Sequence, residues 1–114
     1  MVVKRNEMKT EVKEKMRGGE GTVTLVHFTG CENEKNIRLL AEITLPPGAS
    51  IGKHQHDGET EYFLIVSGSG VVDDDGVEKQ VSAGDSIITS GGASHSIRNT
   101  GNVPLVLNAA IVTW

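Results

Sequence analysis

The sequence predicts a single all-β domain, a barrel or sandwich of antiparallel strands. Short apolar runs recur along the chain, and most of its fourteen glycines stand between them. Fourteen glycines in 114 residues is roughly 12%, against an average of about 7%. Short strands separated by regularly spaced turns are typical of such folds. A chain of 114 residues has the length of one domain and can bury a core.

The first 21 residues differ from the rest, because they are highly charged and end in Gly-Gly-Glu-Gly. We therefore expect residues 1–21 to form an N-terminal arm and residues 22–114 to form the barrel domain. A short helix over Lys9 to Arg17 is possible, although only Val12 and Met16 provide an apolar face.

Two predicted strands follow the arm. Thr22 to Thr29 alternates between apolar and polar residues, and His27 on it is interpreted as a packed or exposed ring rather than a metal ligand, since it stands alone. Asn36 to Leu45 alternates strictly, as a half-buried strand does. Glu42 on this strand could carry protons in a cavity, but a solvated carboxylate on the outer face is the simpler interpretation. The pair Pro46–Pro47 ends the strand, because proline lacks a backbone donor.

The stretch from Gly48 to Gly68 holds the most specific signal in the chain. His54 and His56 are two residues apart, so on an extended strand both rings point to the same face. A polar turn follows, and a hairpin there would bring Glu61, at the start of an apolar strand, back towards the histidines. His95 offers a fourth ligand in the second half of the chain. These four residues form a candidate metal-binding set.

The rest of the chain contains further strands. Three consecutive aspartates precede Gly76, and a hairpin turn over Asp73–Gly76 is a better interpretation than a calcium loop, whose remaining ligands are absent. Beyond a glycine-rich bend, His95 and Asn99 should share one face of a strand while Arg98 points away. Residues Pro104 to Trp114 are predicted to form the last strand.

These spacings resemble the two motifs of the cupin superfamily. The first motif is matched by Gly48, His54, His56, Glu61 and Gly68, and the second by Gly84, Gly92, His95 and Asn99. Ser90 stands where the family usually has proline. The resemblance spans Leu39 to Val112 and implies a double-stranded β-helix, or jelly-roll barrel, that binds a metal through the three histidines and the glutamate.

The ligand chemistry narrows the choice of metal. Imidazole nitrogens with one carboxylate suit transition metals and exclude an all-oxygen calcium or magnesium cage. Four protein ligands would nearly fill a tetrahedral zinc ion, whereas an octahedral ion keeps two positions open for a ligand. Manganese is therefore the first expectation, and iron, nickel and zinc are the alternatives.

The resemblance implies a function but does not fix it. It points to the oxalate-decarboxylase-like group, in which manganese chelates a small carboxylate such as oxalate, and decarboxylation is then possible. Decarboxylases of that group carry an arginine three residues before the first ligand histidine, and here that residue is Ile51. Glu59 and Tyr62 are candidate catalytic acids. Two alternatives remain open: a non-catalytic module that binds or senses a small anion or sugar, and an iron-dependent dioxygenase.

The environment of the ligand can be anticipated as well. The cavity around the metal is expected to be apolar, so that a charged ligand depends on the metal for most of its stabilisation. The residues expected to face it are Leu39, Ile43, Phe63 and Ile65.

Composition bears on partners and location. A net charge of -4 and a pI near 5.5 argue against nucleic acid, and no apolar run approaches a membrane span. Cys31 is the single cysteine, so no internal disulfide can form, which is typical of a cytoplasmic protein. The unpaired edges of a small barrel, together with the arm, predict a homodimer.

Overall fold

The computed structural model describes residues 1–28, 30 and 32–114, and it confirms the all-β jelly roll. Ten strands form two antiparallel sheets in this part of the chain, with the order β1-β2-β3-β10-β5-β8 in one and β4-β9-β6-β7 in the other. Their bounds are β1 Lys9–Glu14, β2 Thr22–His27, β3 Ile37–Leu45, β4 Ser50–Gln55, β5 Glu59–Ser67, β6 Ser69–Asp74, β7 Val77–Ser82, β8 Ser86–Ser90, β9 Ser94–Asn99 and β10 Leu105–Thr113.

The core lies between the two sheets. Alternate residues of each strand face inward, as the two-residue period of a strand requires. Ile43 and Phe63 of the six-stranded sheet and Ile51 and Ile97 of the four-stranded sheet belong to one buried cluster. The strict alternation seen in residues 36–45 is therefore confirmed as the inward and outward faces of β3.

The possible helix over Lys9 to Arg17 is wrong. Lys9–Glu14 is strand β1, and it pairs with β2 along its whole length, from Lys9 opposite His27 to Glu14 opposite Thr22. A single pair of apolar residues gave little reason for a helix, whereas β2 offers a free edge whose backbone groups β1 can satisfy. This part of the charged segment thus extends the six-stranded sheet.

A tight turn follows β1 and lies directly on β4. It contains a 3₁₀ segment at Met16–Gly18. A Cβ atom on Gly19 would stand 2.2 Å from the Ser50 carbonyl oxygen, and one on Gly52 would stand 2.1 Å from the Arg17 carbonyl oxygen. Only glycine allows two backbones to approach so closely. Met16 packs against the core beside this contact.

The hairpin expected between the histidines and Glu61 is also wrong in its detail. β4 pairs with β9, whereas β5 pairs with β10 and β8. The short connection after β4 therefore carries the chain from one sheet to the other, and Glu61 returns to the histidines across the interior of the barrel. The hairpin at Asp73–Gly76 is confirmed: β6 and β7 pair up to Asp74 and Val77, and Gly76 has a φ of 95°.

Two expectations concern residues outside the described part of the chain. β2 ends at His27, and Thr29, the predicted end of that strand, lies outside the described residues, as does Cys31. Among the residues that are described, no helix is long and apolar enough to cross a membrane.

Candidate metal centre

Four side chains from three strands and one connection meet inside the barrel. His54 lies near the end of β4, His56 follows that strand, His95 lies on β9 and Glu61 on β5. His95 Nε2 is 3.0 Å from His54 Nε2, 3.1 Å from His56 Nε2 and 2.9 Å from Glu61 Oε1. Glu61 Oε1 is also 3.0 Å from His56 Nε2 and 3.6 Å from His54 Nε2. The structure thus brings together all four residues of the candidate set.

The outer nitrogens of the three rings are all hydrogen-bonded. His54 Nδ1 donates to the Gly52 carbonyl oxygen at 2.7 Å, and His56 Nδ1 donates to Glu59 Oε2 at 2.5 Å. Both partners can only accept, so in the neutral ring the proton is on Nδ1 and Nε2 carries a lone pair. His95 Nδ1 lies 2.8 Å from the Thr89 hydroxyl. The Nε2 lone pairs of His54 and His56 therefore both lie beside His95 Nε2, an arrangement that a cation satisfies.

Glu61 is the charged member of the cluster. It is 3% exposed, and its Oε1 has no hydrogen bond of good geometry in spite of the short contacts described above. Burial raises the pKa of Glu61 and is the largest single effect, but the close contacts with the imidazoles of His54, His95 and His56 together outweigh it and lower the pKa to about 2. Glu61 is therefore a buried carboxylate ion at neutral pH, and such an ion requires a paired charge.

His95 is held in its neutral form. Burial lowers its pKa, and the nearby Glu61 carboxylate opposes this without reversing it. The Phe63 ring stacks on the His95 ring, with centroids 4.9 Å apart and planes inclined by 17°. A neutral, fixed imidazole is the form that binds a metal ion.

The cluster lies in a cavity of about 560 Å³. The cavity is apolar in part, because Leu39, Ile43 and Phe63 line it as expected. Ile65, which was also expected there, is buried in the core instead. The expectation of an apolar environment was nevertheless incomplete, since cationic residues also line the cavity. These are Lys13, Lys15, Arg17 and Arg38. The first three come from a segment that the sequence placed in an arm.

The two candidate catalytic acids occupy very different places. Glu59 lies beside the cluster, where its carboxylate accepts a hydrogen bond from His56 and two from Arg38, at 2.7 and 3.0 Å. The Arg38 guanidinium is the main cause of a lowered pKa for Glu59. Tyr62 is 45% exposed, and its neighbours Glu61 and Phe63 are buried, so its side chain faces outward. The structure does not bring Tyr62 to the cluster.

Four other polar residues singled out in the sequence lie outside the cluster. Glu42 is on the outer face and pairs with Arg5 at 2.8 Å. Arg98 points away from the cluster and pairs with Glu78. His27 lies beside Glu11 rather than among the four residues. Asn99 is buried and donates to the carbonyl oxygens of Leu45 and Val103, so it fastens the ends of the strands rather than binding a ligand.

Sequence reasoning missed two contributors to the cluster. Arg38 reaches Glu59 from β3, and the Gly52 carbonyl oxygen orients His54. The register between β4 and β9 shifts between Ile51 and His54, which marks a β-bulge. A bulge re-aims the side chains that follow it. No spacing rule in a single sequence announces such a bulge, although Gly52 immediately before the ligands was a possible signal.

The donor set fits a divalent metal ion. Three imidazoles and one carboxylate offer one ligand atom each, and these atoms all lie within 4.8 Å of one another. Inward lone pairs, a buried carboxylate ion and hydrogen-bonded outer nitrogens are the features of metal sites in proteins. The cluster could therefore hold a divalent metal.

Comparisons with known proteins agree with this geometry. Residues 41–113 match the family model described as a cupin domain. The oxalate-binding protein of Thermotoga maritima is 44% identical over 113 residues, which cover 98% of this chain and 93% of that protein. A crystal structure from the same organism, described as a predicted oxalate decarboxylase, has a TM-score of 0.94 at 43% identity and covers both chains completely.

More distant relatives share the fold alone. The polyketide cyclase RemF of Streptomyces resistomycificus has a TM-score of 0.75 at 17% identity, over 99% of this chain and 78% of that one. The family model covers well over half of this chain, and the Thermotoga maritima protein aligns with nearly all of it. The chain belongs to the cupin family.

Proposed function

We propose that the protein binds a divalent metal ion, with manganese as the first choice, and holds a small dicarboxylate such as oxalate on it. The observation that carries this proposal is the convergence of three imidazole nitrogens and Glu61 Oε1 at 2.9–3.6 Å inside a cavity. A bound metal would supply a Lewis-acidic centre for the oxygens of the ligand. The protein supplies neutral histidines, one negative charge and an enclosed space.

The spacing of the ligand atoms supports an octahedral ion rather than a tetrahedral one. Ligand atoms about 2.1 Å from a shared ion are about 3.0 Å apart when their bonds are at right angles, and about 3.4 Å apart in a tetrahedron. Four of the five separations described above are 2.9–3.1 Å. Manganese, iron and nickel accept this arrangement better than structural zinc does.

A dicarboxylate is supported by the charges of the cavity and by the relatives. Lysine and arginine residues line the cavity, and they attract anions. The Thermotoga maritima relative of similar length is an oxalate-binding protein. A sugar, as a neutral ligand, would leave these cations without a role.

Binding is better supported than decarboxylation. Loss of carbon dioxide from oxalate leaves a carbon that must receive a proton. Glu59 is held as a carboxylate by Arg38, and Tyr62 faces outward, so neither candidate supplies that proton from its place in the structure. The resemblance to a structure described as a predicted oxalate decarboxylase is the reason to measure turnover as well.

The test combines metal analysis with calorimetry. Purified protein should retain or take up about one metal ion per chain, and the manganese form should bind oxalate with a dissociation constant below a millimolar. Alanine variants of each of the four ligand residues should lose metal and melt at lower temperature, because a ligand of the folded state stabilises it. His27→Ala is the matched control, since it removes a histidine outside the cluster. Full metal content in the four variants would refute the assignment.

We also propose that the protein is a cytoplasmic homodimer. On the outer face of the six-stranded sheet, Tyr62, Leu64 and Val66 of β5 and Ile88 of β8 are between 45% and 60% exposed. Tyr62 and Ile88 are direct neighbours across the two strands. An apolar patch of this kind is commonly covered by a second subunit. This face, rather than an arm, is the surface we assign to the dimer.

A further inference from the structure

Three cationic side chains at the cavity form no ion pair with any residue that the structure describes. Lys13, Lys15 and Arg17 line the cavity, and within the described residues none of them forms an ion pair. Arg38, by contrast, is engaged by Glu59. Two acidic residues, Glu11 and Glu14, lie on the same segment and offset part of this charge. The segment therefore brings net positive charge to the cavity.

The backbone of this segment is held in an unusual conformation. Lys15 has a φ of 49° and Arg17 a φ of 55°, both in the left-handed region that residues other than glycine rarely adopt. The Lys15 amide donates to the Gly21 carbonyl oxygen, and the Met16 side chain packs against the core. Left-handed residues persist where the surrounding structure fixes them, and they cluster at ligand-binding sites. Here they place one cation on either side of an anchored methionine.

The same segment contacts the residue that orients a metal ligand. Gly52 allows the Arg17 carbonyl oxygen to approach its backbone, and the Gly52 carbonyl oxygen accepts the hydrogen bond from His54 Nδ1. The backbone that carries Arg17 is therefore held against the strand that carries His54, and the exposed cationic side chains extend from it at the cavity.

We propose that Lys13, Lys15 and Arg17 form a cationic rim that makes the cavity selective for small dianions. The inference rests on the proposed function. A divalent metal bound by neutral histidines and the Glu61 carboxylate carries one net positive charge. When a dianion such as oxalate binds, the site has one net negative charge. The cationic rim balances that remaining negative charge, whereas a neutral ligand gains nothing from it.

The cationic rim can be neutralised without disturbing the turn. The double variant Lys15→Asn, Arg17→Asn removes two charges and keeps residues that tolerate the left-handed region. The matched control is Lys4→Gln, Lys35→Gln, which removes the same net charge from residues that do not line the cavity. Each protein is titrated with Mn²⁺ alone, and its manganese form is titrated with oxalate, at about 20 mM and about 500 mM salt.

The cationic rim should affect the two probes in opposite directions. In the double variant, oxalate should bind about fivefold to twentyfold more weakly at low salt and less than about twofold more weakly at high salt, because salt screens exposed charges. Mn²⁺, which the rim repels, should bind about twofold to fivefold more tightly. Structural damage would instead weaken both ligands, and it would appear as a lower melting temperature.

Each other outcome is decisive. Unchanged affinities for both probes, equal effects in the control, or a parallel loss of both affinities would overturn the cationic rim. If the wild type binds Mn²⁺ but not oxalate, the dicarboxylate proposal and the cationic rim both fail, and only the metal site stands. If the wild type binds neither, both proposals are wrong.

Discussion

Replacing Glu59 by glutamine should weaken metal binding although Glu59 is not one of the four ligands. Its Oε2 accepts the His56 Nδ1 hydrogen bond at 2.5 Å, and Arg38 donates to both carboxylate oxygens. Glutamine has only one oxygen to accept from these donors. Its NH₂ group would lie against either His56 Nδ1–H or the Arg38 guanidinium and could not accept a hydrogen bond from it. A hydrogen bond to a charged group contributes about 1.5–3 kcal/mol, and each 1.4 kcal/mol corresponds to about tenfold in affinity.

We therefore expect Glu59→Gln to bind Mn²⁺ about 10- to 100-fold more weakly, the usual effect of losing a hydrogen-bond partner of a ligand histidine. Competition with a fluorescent chelator measures this affinity directly. Glu42→Gln is the matched control, because Glu42 is also held by two hydrogen bonds from an arginine, Arg5, but contacts no ligand histidine. It should change the affinity by less than about twofold. If folded Glu59→Gln protein binds Mn²⁺ as tightly as the wild type, the orienting role of Glu59 is wrong.

Three further predictions concern stability and assembly. Gly52→Ala places a Cβ 2.1 Å from a main-chain carbonyl oxygen, and in a urea titration it should lower the free energy of unfolding by about 1–3 kcal/mol. Gly101→Ala is the control, because its Cβ would meet nothing closer than 3.5 Å, and it should lower the free energy of unfolding by less than about 0.5 kcal/mol. The pKa of Glu61 is lowered from its usual 4.5 to about 2, so its ionisation stabilises the metal-free protein fully above pH 4.5, and this contribution is lost as pH falls through about 2. The melting temperature of the wild type should exceed that of Glu61→Gln by an amount that shrinks as the pH falls from 4.5 to about 2. A difference that stays constant over this range would contradict the lowered pKa of Glu61. If the protein is the proposed dimer, Leu64→Glu should convert it to monomers in sedimentation experiments, whereas Val77→Glu on the other sheet should not. A monomeric wild type would disprove the interface.

Much of the fold could be predicted from the sequence because the information is local. The alternation of residues 36–45 predicts β3, and the Asp-Gly turn predicts the hairpin of β6 and β7, since each depends only on neighbouring residues. The positions of the candidate ligands were equally accessible, because His54, His56 and Glu61 lie within eight residues of one another. The structure adds the distances and the hydrogen bonds of the outer nitrogens.

What could not be predicted is mostly non-local. Arg38 and Glu59 are 21 positions apart, and their contact depends on how β3 and β5 are placed by β10. The cationic side chains of the N-terminal segment are ordinary surface residues until β1 pairs with β2 and brings them to the cavity. A weak helical pattern concealed that strand, because the propensity of a short charged segment is easily overridden by an available sheet edge.

The place of β10 in the six-stranded sheet has a consequence for how the protein is made. Without β10 this sheet separates into β1-β2-β3 and β5-β8, because β3 and β5 are joined only through it. Leu105 pairs with Leu45 across 60 positions, and pairings of such long range form slowly. A growing chain on the ribosome therefore exposes all four candidate ligands before the strand that fixes Glu61 opposite the histidines has been synthesised. Metal loading is consequently expected to follow the completion of β10.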